Sequence, residues 1–443
     1  MTAARGVAAG ALCVAISLGG CVRRGSTPVS TSEGPPPAGE STAGSPNSPD
    51  QSVAARGESS PMLAAAVRRA VADTVQRVLD RAVADSAFPG AYAVVGTRDG
   101  VIAEYGAGRI DWAADAPRPD RNTIWDMASL TKVIATTSAV EQLVGVRKID
   151  LDAPVQRYLP EWTGPNKERV TLRHLLTHSS GLPAWRPLYK EATSPESAMA
   201  LVIATQLDTL PGIRYVYSDL NAVLLGRIVE RVSGERLDEY ARRHVFEPIG
   251  MPSTGFRPSP ALRDRIAPTE VDPWRQRHLR GEVHDENAYA LGGVAGHAGL
   301  FSTAADLTRF AQMYLHNGTV GAREVIPAAT LAEFERAQDT VVSRRALGWE
   351  TPTGSNSAGH LMSARAFGHT GFTGTSIWMD PARDLFVILL TNRVNPTREN
   401  RRIGEVRVRL ADAVVSTLST RVPLAPAAGS PSSGPPSTPG QRP

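Results

Sequence analysis

This sequence contains little cysteine and little lysine. Its 443 residues include two cysteines, Cys13 and Cys21, both near the start, which excludes a disulfide framework or a cysteine-based metal site in the body of the chain. Only four of the 48 basic residues are lysines, so arginine supplies nearly all the positive charge. The net charge is +4 and the chain has no long run of basic residues, so we expect no nucleic-acid partner.

Several common enzyme signatures are also missing. The chain has no Gly-rich phosphate loop, no dinucleotide fingerprint and no G-x-S-x-G nucleophile elbow, which disfavours the ordinary α/β-hydrolase fold. His174 and His178 lie four residues apart, but no Glu between them completes a zinc motif, so we interpret both as structural. We therefore expect neither a cofactor nor a metal.

The first 21 residues have the layout of an export signal. Arg5 precedes an apolar segment too short to span a bilayer, and Leu18-Gly19-Gly20-Cys21 resembles a bacterial lipobox. We predict a lipoprotein-type signal peptide over 1–21, a lipid on Cys21, and anchoring of the exported protein to the cell envelope. Val22 after the cysteine favours the outer membrane in a cell that has two. An ordinary signal peptide with an incidental cysteine is the alternative.

The remaining chain divides by composition. Residues 22–61 and 423–443 are rich in Pro, Ser and Gly and cannot bury enough apolar area to fold, so they predict a disordered tether and a disordered tail. Residues 62–422 lack a comparable break and predict one catalytic domain.

That domain predicts an α+β fold. Apolar residues recur at helical spacing over 63–78 and over 403–418, which predicts a first and a last helix. Two β-rich pairs surround turn signals at 98–100 and 381–384. We expect an antiparallel sheet flanked by the N- and C-terminal helices, together with a mostly helical subdomain.

The stretch DMASLTKVIATT, residues 126–137, contains the first candidate for chemistry. Ser129 lies three residues before Lys132, and a helix start within residues 126–129 places both side chains on one face. At that end of a helix, free N–H groups favour developing negative charge. A serine needs a base, and an apolar environment can lower the proton affinity of a lysine enough to serve. The S-x-x-K pattern alone also fits an ordinary surface helix.

Two later motifs complete a characteristic order. Tyr217-Ser218-Asp219 occurs in the middle of the chain, and His369-Thr370-Gly371 occurs late, at the expected start of a strand. With S-x-x-K ahead of them, the chain resembles the serine β-lactamase and penicillin-binding-protein superfamily. Within it, the resemblance is to the class C-like branch of esterases, D-aminopeptidases and carboxypeptidases. Residues 170–183, 246–256, 292–310 and 389–400 are similar to that family too, so the resemblance covers about residues 62–420.

The resemblance implies a role for each motif residue. Ser129 is implied as the acylated nucleophile, with Lys132 and Tyr217 sharing the general-base function and Tyr217 protonating the leaving group. The backbone N–H groups of Ser129 and Phe372 are implied as the oxyanion hole, with glycine beside them allowing close approach. The implied substrate-side and oxyanion residues are Asp219, His369, Thr370, Gly371 and Phe372.

Two of these positions depart from the β-lactamase pattern. Asp219 stands where that pattern has Asn, and a carboxylate accepts hydrogen bonds without donating them. His369 stands where many relatives carry Lys, and we expect Asp219 nearby to favour its imidazolium form. Both departures weaken the case for efficient β-lactam hydrolysis.

Two other polar groups are interpreted as ordinary surface. Asp285 and Glu286 are adjacent, so they point to different faces and predict a solvated loop rather than a catalytic carboxylate pair. His297 is not assigned. A basic group near the C-terminus predicts a solvated helix face, with contact to anionic lipid or cell-wall polymer as the alternative: Arg398, Arg401, Arg402, Arg407 and Arg409.

Together these observations predict an exported serine hydrolase that forms an acyl-enzyme and cleaves an ester, a D-amino-acid amide or a cell-wall peptide. A penicillin-binding D,D-carboxypeptidase or a β-lactamase is the alternative within this class. A protein that uses the same pocket for binding without turnover is the second alternative. The expected partners are the small-molecule or peptide substrate and a membrane reached through the lipid, and the oligomeric state stays open.

Overall fold

The structure is a computed structural model that describes residues 61–339, 341–354 and 356–421. The predictions for Cys21, for the signal peptide, for the tether up to residue 60 and for the tail lie outside these residues. Among the helices described, none is both long enough and apolar enough to cross a membrane.

The helices of the described residues follow one another along the chain. The α-helices are α1 (Pro61–Ala84), α2 (Ser138–Gly145), α3 (Leu172–Leu176), α4 (Leu188–Glu191), α5 (Pro195–Ala204), α6 (Asp219–Ser233), α7 (Leu237–Tyr240), α8 (Glu247–Ile249), α9 (Glu286–Ala290), α10 (Ala304–Leu315), α11 (Ala328–Glu335) and α12 (Ile403–Arg421). Short 3₁₀ or π segments cover Ala128–Leu130, Lys132–Thr137, Val155–Arg157, Lys167–Arg169, Ala241–Phe246 and Pro260–Arg265.

The strands of the described residues form one larger sheet and three small ones. They are β1 (Gly90–Thr97), β2 (Gly100–Gly108), β3 (Trp125–Asp126), β4 (Gly255–Phe256), β5 (Val271–Asp272), β6 (Arg277–His278), β7 (Leu300–Ser302), β8 (Thr319–Val320), β9 (Arg323–Glu324), β10 (Phe367–Thr370), β11 (Ser376–Asp380) and β12 (Leu385–Thr391). The larger sheet has the order β10-β11-β12-β1-β2, with antiparallel neighbours throughout.

This sheet is buried on both faces. Along β1, Ala91, Ala93 and Val95 pack in a core with α1 and α12, whereas Tyr92 and Val94 pack in the core on the opposite face. The alternation is the period of two that a strand imposes on its side chains. The predicted α+β layout, with the first and last helices on one face of an antiparallel sheet, is confirmed.

A second, mostly helical region has a core of its own. That core joins α2, α3 and α6, and the helical segment 128–145 contributes to it and to the core under the sheet. Leu130 and Val133 belong to the sheet-side core, while Val140 and Leu143 belong to the helical one. The candidate site lies where this segment, the start of α6 and the edge strand β10 meet.

Candidate active site

A strained turn presents Ser129. Strand β3 ends at Asp126, and Ala128 then adopts a left-handed backbone conformation with φ of 45°. This conformation costs an L-residue about 1–2 kcal/mol, and the buried Asp126 carboxylate holds it by accepting the Ala128 N–H at 2.8 Å. The helical segment begins with Ala128–Leu130, within the predicted range 126–129, and Ser129 is partly exposed between buried neighbours.

Lys132 is the centre of the polar contacts. Its Nζ lies 2.9 Å from Ser129 Oγ, 2.8 Å from Asp219 Oδ1 and 3.3 Å from the carbonyl oxygen of His297. Burial alone lowers the pKa of this lysine, but the negative charge of Asp219 and the neighbouring Tyr217 outweigh burial and raise the pKa above its usual value. The expectation of a lowered proton affinity is therefore wrong, because the apolar wall also contains a carboxylate.

Tyr217 completes the pocket. It lies two residues before the first residue of α6, and its ring centroid lies 5.0 Å from Lys132 Nζ. Burial raises the pKa of the Tyr217 hydroxyl, and its interactions with Lys132 and Ser129 act in the opposite direction. His178, whose ring lies 4.6 Å from that of Tyr217, accepts the Ser218 N–H at 3.1 Å and forms the pocket wall. An alcohol, an amine and a phenol thus meet in one place.

Asp219 has a different neighbour from the one expected. It is the first residue of α6, and its N–H donates to the Ala184 carbonyl at 3.0 Å. Its carboxylate pairs with Lys132, whereas the sequence predicted an effect on His369. A negative charge at a helix N-terminus is favoured by the free N–H groups there, so this position suits an acidic partner for a lysine.

The surroundings of His369 disfavour its charged form, contrary to expectation. It lies in β10, which ends rather than starts at this motif, and its Nδ1 is 2.9 Å from the Thr370 carbonyl oxygen. Burial, followed by the positive charges of Arg345 and Lys132, lowers the pKa of His369 well below its usual value. The expected imidazolium is disfavoured because burial and these positive charges lower the pKa of the ring, while the Asp219 carboxylate pairs with Lys132.

The turn after β10 is tied to the segment that carries the nucleophile. Thr373 Oγ1 donates to the Asp126 carbonyl at 2.8 Å, and Thr375 Oγ1 donates to the Met127 carbonyl at 3.1 Å. At Gly371, a Cβ would lie 2.5 Å from the Met127 carbonyl oxygen. The glycine therefore permits a close approach between two backbone segments of the protein. The family resemblance implied only a close approach of this glycine to the substrate.

Phe372 extends from this turn into solvent. Its ring is 49% exposed, and the Arg393 guanidinium carbon lies 4.3 Å from the ring centroid. Since the turn is attached to Asp126 and Met127, the backbone of Phe372 is held beside the segment of Ser129. The oxyanion hole formed by these two N–H groups stays a prediction.

Asp285 and His297 hold the loop whose carbonyl oxygen contacts Lys132, and the sequence did not predict this role. Asp285 Oδ1 lies 2.9 Å from His297 Nε2 and also accepts the Ala288 N–H that begins α9. The predicted solvated loop at Asp285 is wrong. Only the folded chain shows why this loop reaches the site: a Cβ at Gly296 would lie 1.9 Å from a carbonyl oxygen of α6, so glycine allows the loop to pack against that helix.

Two arginines were also missed. Arg407 donates at 2.7 Å to the carbonyls of Gly371 and Thr375, so for this residue the predicted solvated face is wrong. Arg345 is buried, its guanidinium carbon lies 5.7 Å from the Tyr217 ring centroid, and its nearest carboxylate is Glu350 at 3.5 Å. No spacing in the sequence connects Arg345 to this pocket.

Comparison with known proteins agrees with this geometry. Residues 75–411 match the family model described as Beta-lactamase, and the chain belongs to this family, whose fold carries serine hydrolases. A protein of Salmonella agona (strain SL483), named "Putative D-alanyl-D-alanine carboxypeptidase", is 32% identical over 320 residues, which is 64% of this chain and 72% of that protein. A protein of the same name from Salmonella schwarzengrund (strain CVM19633) is 32% identical over 324 residues, 65% of this chain and 73% of its own length.

Solved structures show the same fold. A penicillin-binding protein homologue from Caulobacter crescentus superposes with a TM-score of 0.64 and 21% identity, covering 79% of this chain and 98% of its own. A class C beta-lactamase superposes with a TM-score of 0.64 and 19% identity, covering 79% and 96%. The predicted family resemblance and the predicted fold are confirmed.

Proposed function

We propose that this protein is a class C-like D,D-carboxypeptidase that releases D-alanine from a cell-wall peptide through an acyl-enzyme at Ser129. The observation that carries the proposal is the position of Lys132 Nζ, within 3 Å of both the Ser129 hydroxyl and the Asp219 carboxylate. The names of the curated relatives support the choice of a D-alanyl peptide over an ester.

The first step is transfer of the serine proton. As Ser129 Oγ attacks the peptide carbonyl, its proton passes to Lys132, and Lys132 gives one of its own protons to Asp219. Lys132 stays an ammonium throughout, so a positive charge remains beside the oxygen that becomes negative. Such fixed charge in a partly buried site stabilises the transition state more than water does.

The second step is departure of D-alanine. The tetrahedral intermediate collapses, the C–N bond breaks, and the Tyr217 hydroxyl protonates the leaving amine. Lys132 returns a proton to Tyr217 and recovers one from Asp219, which restores the three groups and leaves an ester on Ser129. Water then attacks that ester, the same groups accept the water proton and return it to Ser129 Oγ as the C–O bond breaks, and the shortened peptide leaves with the serine hydroxyl restored.

Arg345 indicates why a peptide with a free C-terminus fits the site. Burial disfavours a charge on His369, and Lys132 is paired with Asp219, so we propose Arg345, a buried cation near Tyr217, as the group that binds a substrate carboxylate. Its Nε has no hydrogen-bond partner within the described part of the chain, while its Nη1 lies 3.5 Å from Glu350, so a substrate carboxylate shares the guanidinium with this ion pair. A carboxylate bound by guanidinium gains charge-assisted hydrogen bonds that an ester or an amide cannot form.

A panel of substrates tests the proposal. We expect D-alanine release from a pentapeptide ending in D-alanyl-D-alanine, little release from its C-terminal amide, and slow turnover of nitrocefin. Replacing Arg345 by Gln raises KM for the free-acid peptide by about tenfold or more, since the charged contact is lost, and leaves p-nitrophenyl ester turnover unchanged. Arg344→Gln, at the exposed neighbouring arginine, is the matched control.

Other outcomes would point elsewhere. Turnover of esters without D-alanine release would replace the proposal with ester hydrolysis, and rapid nitrocefin turnover would replace it with β-lactamase activity. Labelling of Ser129 by penicillin without turnover of any substrate would identify a binding protein.

We propose further that the protein is exported and held in the cell envelope by a lipid on Cys21. The support is the lipobox-like sequence at 18–21 followed by a long Pro-, Ser- and Gly-rich stretch, which suits a tether. Metabolic labelling with a radioactive fatty acid is expected for the wild type and not for Cys21→Ser. Equal labelling of both would contradict the anchor.

A further inference from the structure

Three exposed aromatic side chains and a half-buried one between them lie next to one another outside the catalytic pocket. We name this group the aromatic rim; its members are Trp185, Tyr189, Trp274 and Tyr289. Successive ring centroids lie 6.3, 4.7 and 5.9 Å apart. Trp185, Trp274 and Tyr289 are 48%, 41% and 40% exposed. Apolar rings held together in solvent are unfavourable unless a ligand covers them, so the rim indicates a binding surface.

A buried arginine fixes two of the rings. The Arg275 guanidinium carbon lies 5.7 Å from the Trp274 ring centroid and 5.1 Å from that of Tyr289, although the side chain is only 4% exposed. It pairs with Asp272 and donates to the Val283 and His284 carbonyls at 2.7 and 2.6 Å. The rings are therefore preorganised, which reduces the entropy lost when a ligand binds.

Both ends of the rim lie close along the chain to residues that contact the candidate active site. Trp185 directly follows Ala184, whose carbonyl accepts the Asp219 N–H. Tyr289 lies on α9, four residues or about one helical turn, roughly 6 Å, beyond Asp285, which supports the loop that contacts Lys132. The segments that carry the rim are therefore also the segments that contact Asp219 and Lys132.

The rim borders a groove with polar as well as aromatic walls. The groove has a volume of about 620 Å³ and is lined by three of the four rim rings, all except Trp185, together with Thr193, Arg257 and Glu282. This volume lies within the usual 300–1,000 Å³ or so of small-ligand sites. An acyl chain prefers an enclosed apolar channel, whereas a sugar has apolar C–H faces for aromatic rings and hydroxyls for charged groups.

We propose that the aromatic rim binds the sugar portion of the substrate, an N-acetylated hexosamine of the polymer that bears the cell-wall peptide. The inference rests on the proposed function and adds to it a second point of attachment. The rings stack on the sugar faces, while Arg257 and Glu282 hydrogen-bond to its hydroxyl and amide groups. Binding at the rim places the attached peptide over the catalytic pocket.

Titration calorimetry with the N-acetylglucosamine tetramer tests the proposal. We expect the wild-type protein to bind it, and Trp274→Ala and Tyr289→Ala each to weaken binding about tenfold. Each variant should hydrolyse a p-nitrophenyl ester at the wild-type rate, which also shows that it is folded. Tyr105→Ala, in β2 at the far edge of the large sheet, is the aromatic control and should bind normally.

Two assays separate this inference from the proposed function. For a peptide that carries the sugar, Trp274→Ala should lower kcat/KM about tenfold, with no change for the same peptide without sugar. Absence of tetramer binding up to about 10 mM, or equal binding by Trp274→Ala, would overturn the sugar site even if D-alanine is released. Displacement of the tetramer by a fatty-acyl probe of higher affinity would overturn it too. Tetramer binding without D-alanine release would refute only the carboxypeptidase function.

Discussion

Replacing Ser129 by Ala abolishes covalent labelling by a fluorophosphonate or penicillin probe and lowers turnover roughly 10⁴-fold or more, because no other oxygen can form the acyl-enzyme. The fold should tolerate the change. Lys132 loses one contact but keeps Asp219 at 2.8 Å and the His297 carbonyl at 3.3 Å, so its buried charge stays paired. We expect a melting temperature within a few degrees of the wild type.

Intact-protein mass spectrometry after incubation with the probe measures this result. Ser416→Ala, at an exposed serine on α12, is the matched control and should acquire one probe like the wild type. Equal labelling of Ser129→Ala and the wild type would show that another residue is the nucleophile, and the proposed function would then have no basis in this pocket.

Much of the fold follows from local patterns. The helical repeat over 63–78 and 403–418 predicts α1 and α12, and alternation about short turns predicts both hairpins. Each pattern depends on residues that are close together in the chain, so the sequence alone is enough to predict these helices and hairpins. The order of the strands in the sheet is a long-range property, and only the family resemblance indicates it.

The site was predictable to a lesser extent. The spacing of Ser129 and Lys132 is local, but Tyr217 joins them across 85 residues and was predicted from a motif order alone. The ion pair between Lys132 and Asp219 and the approach of Arg345 to Tyr217 depend on tertiary packing. The predicted direction of the Lys132 pKa shift was wrong because the sequence does not show these contacts. A lysine in an apolar sequence predicts a lowered pKa, and only the folded arrangement reveals the carboxylate that raises it.

Asp219→Asn should lower kcat/KM at pH 7 about 100-fold, a typical loss when one proton-transfer group is removed. Asparagine fills the same volume and can still accept a hydrogen bond from Lys132, but it cannot take a proton from it. The variant must instead use Lys132 as a neutral base. Without the charge of Asp219, burial lowers the pKa of Lys132 with less opposition, so the activity lost at pH 7 should return as the pH rises.

The pH dependence of kcat/KM shows whether Asp219 accepts a proton from Lys132 or only forms a structural ion pair with it. In the wild type Lys132 is an ammonium that acts by passing a proton on, so raising the pH from 7 to 9 should change kcat/KM little. In Asp219→Asn the active form is the neutral Lys132 amine, and below the pKa of Lys132 its fraction rises about tenfold with each unit of pH. We therefore expect kcat/KM of this variant to rise up to roughly 100-fold from pH 7 to pH 9. Asp219→Glu keeps a carboxylate and should show the flat profile of the wild type even if its rate is lower. A flat profile for Asp219→Asn at a reduced rate would mean that Asp219 only positions Lys132, because loss of geometry does not change with pH.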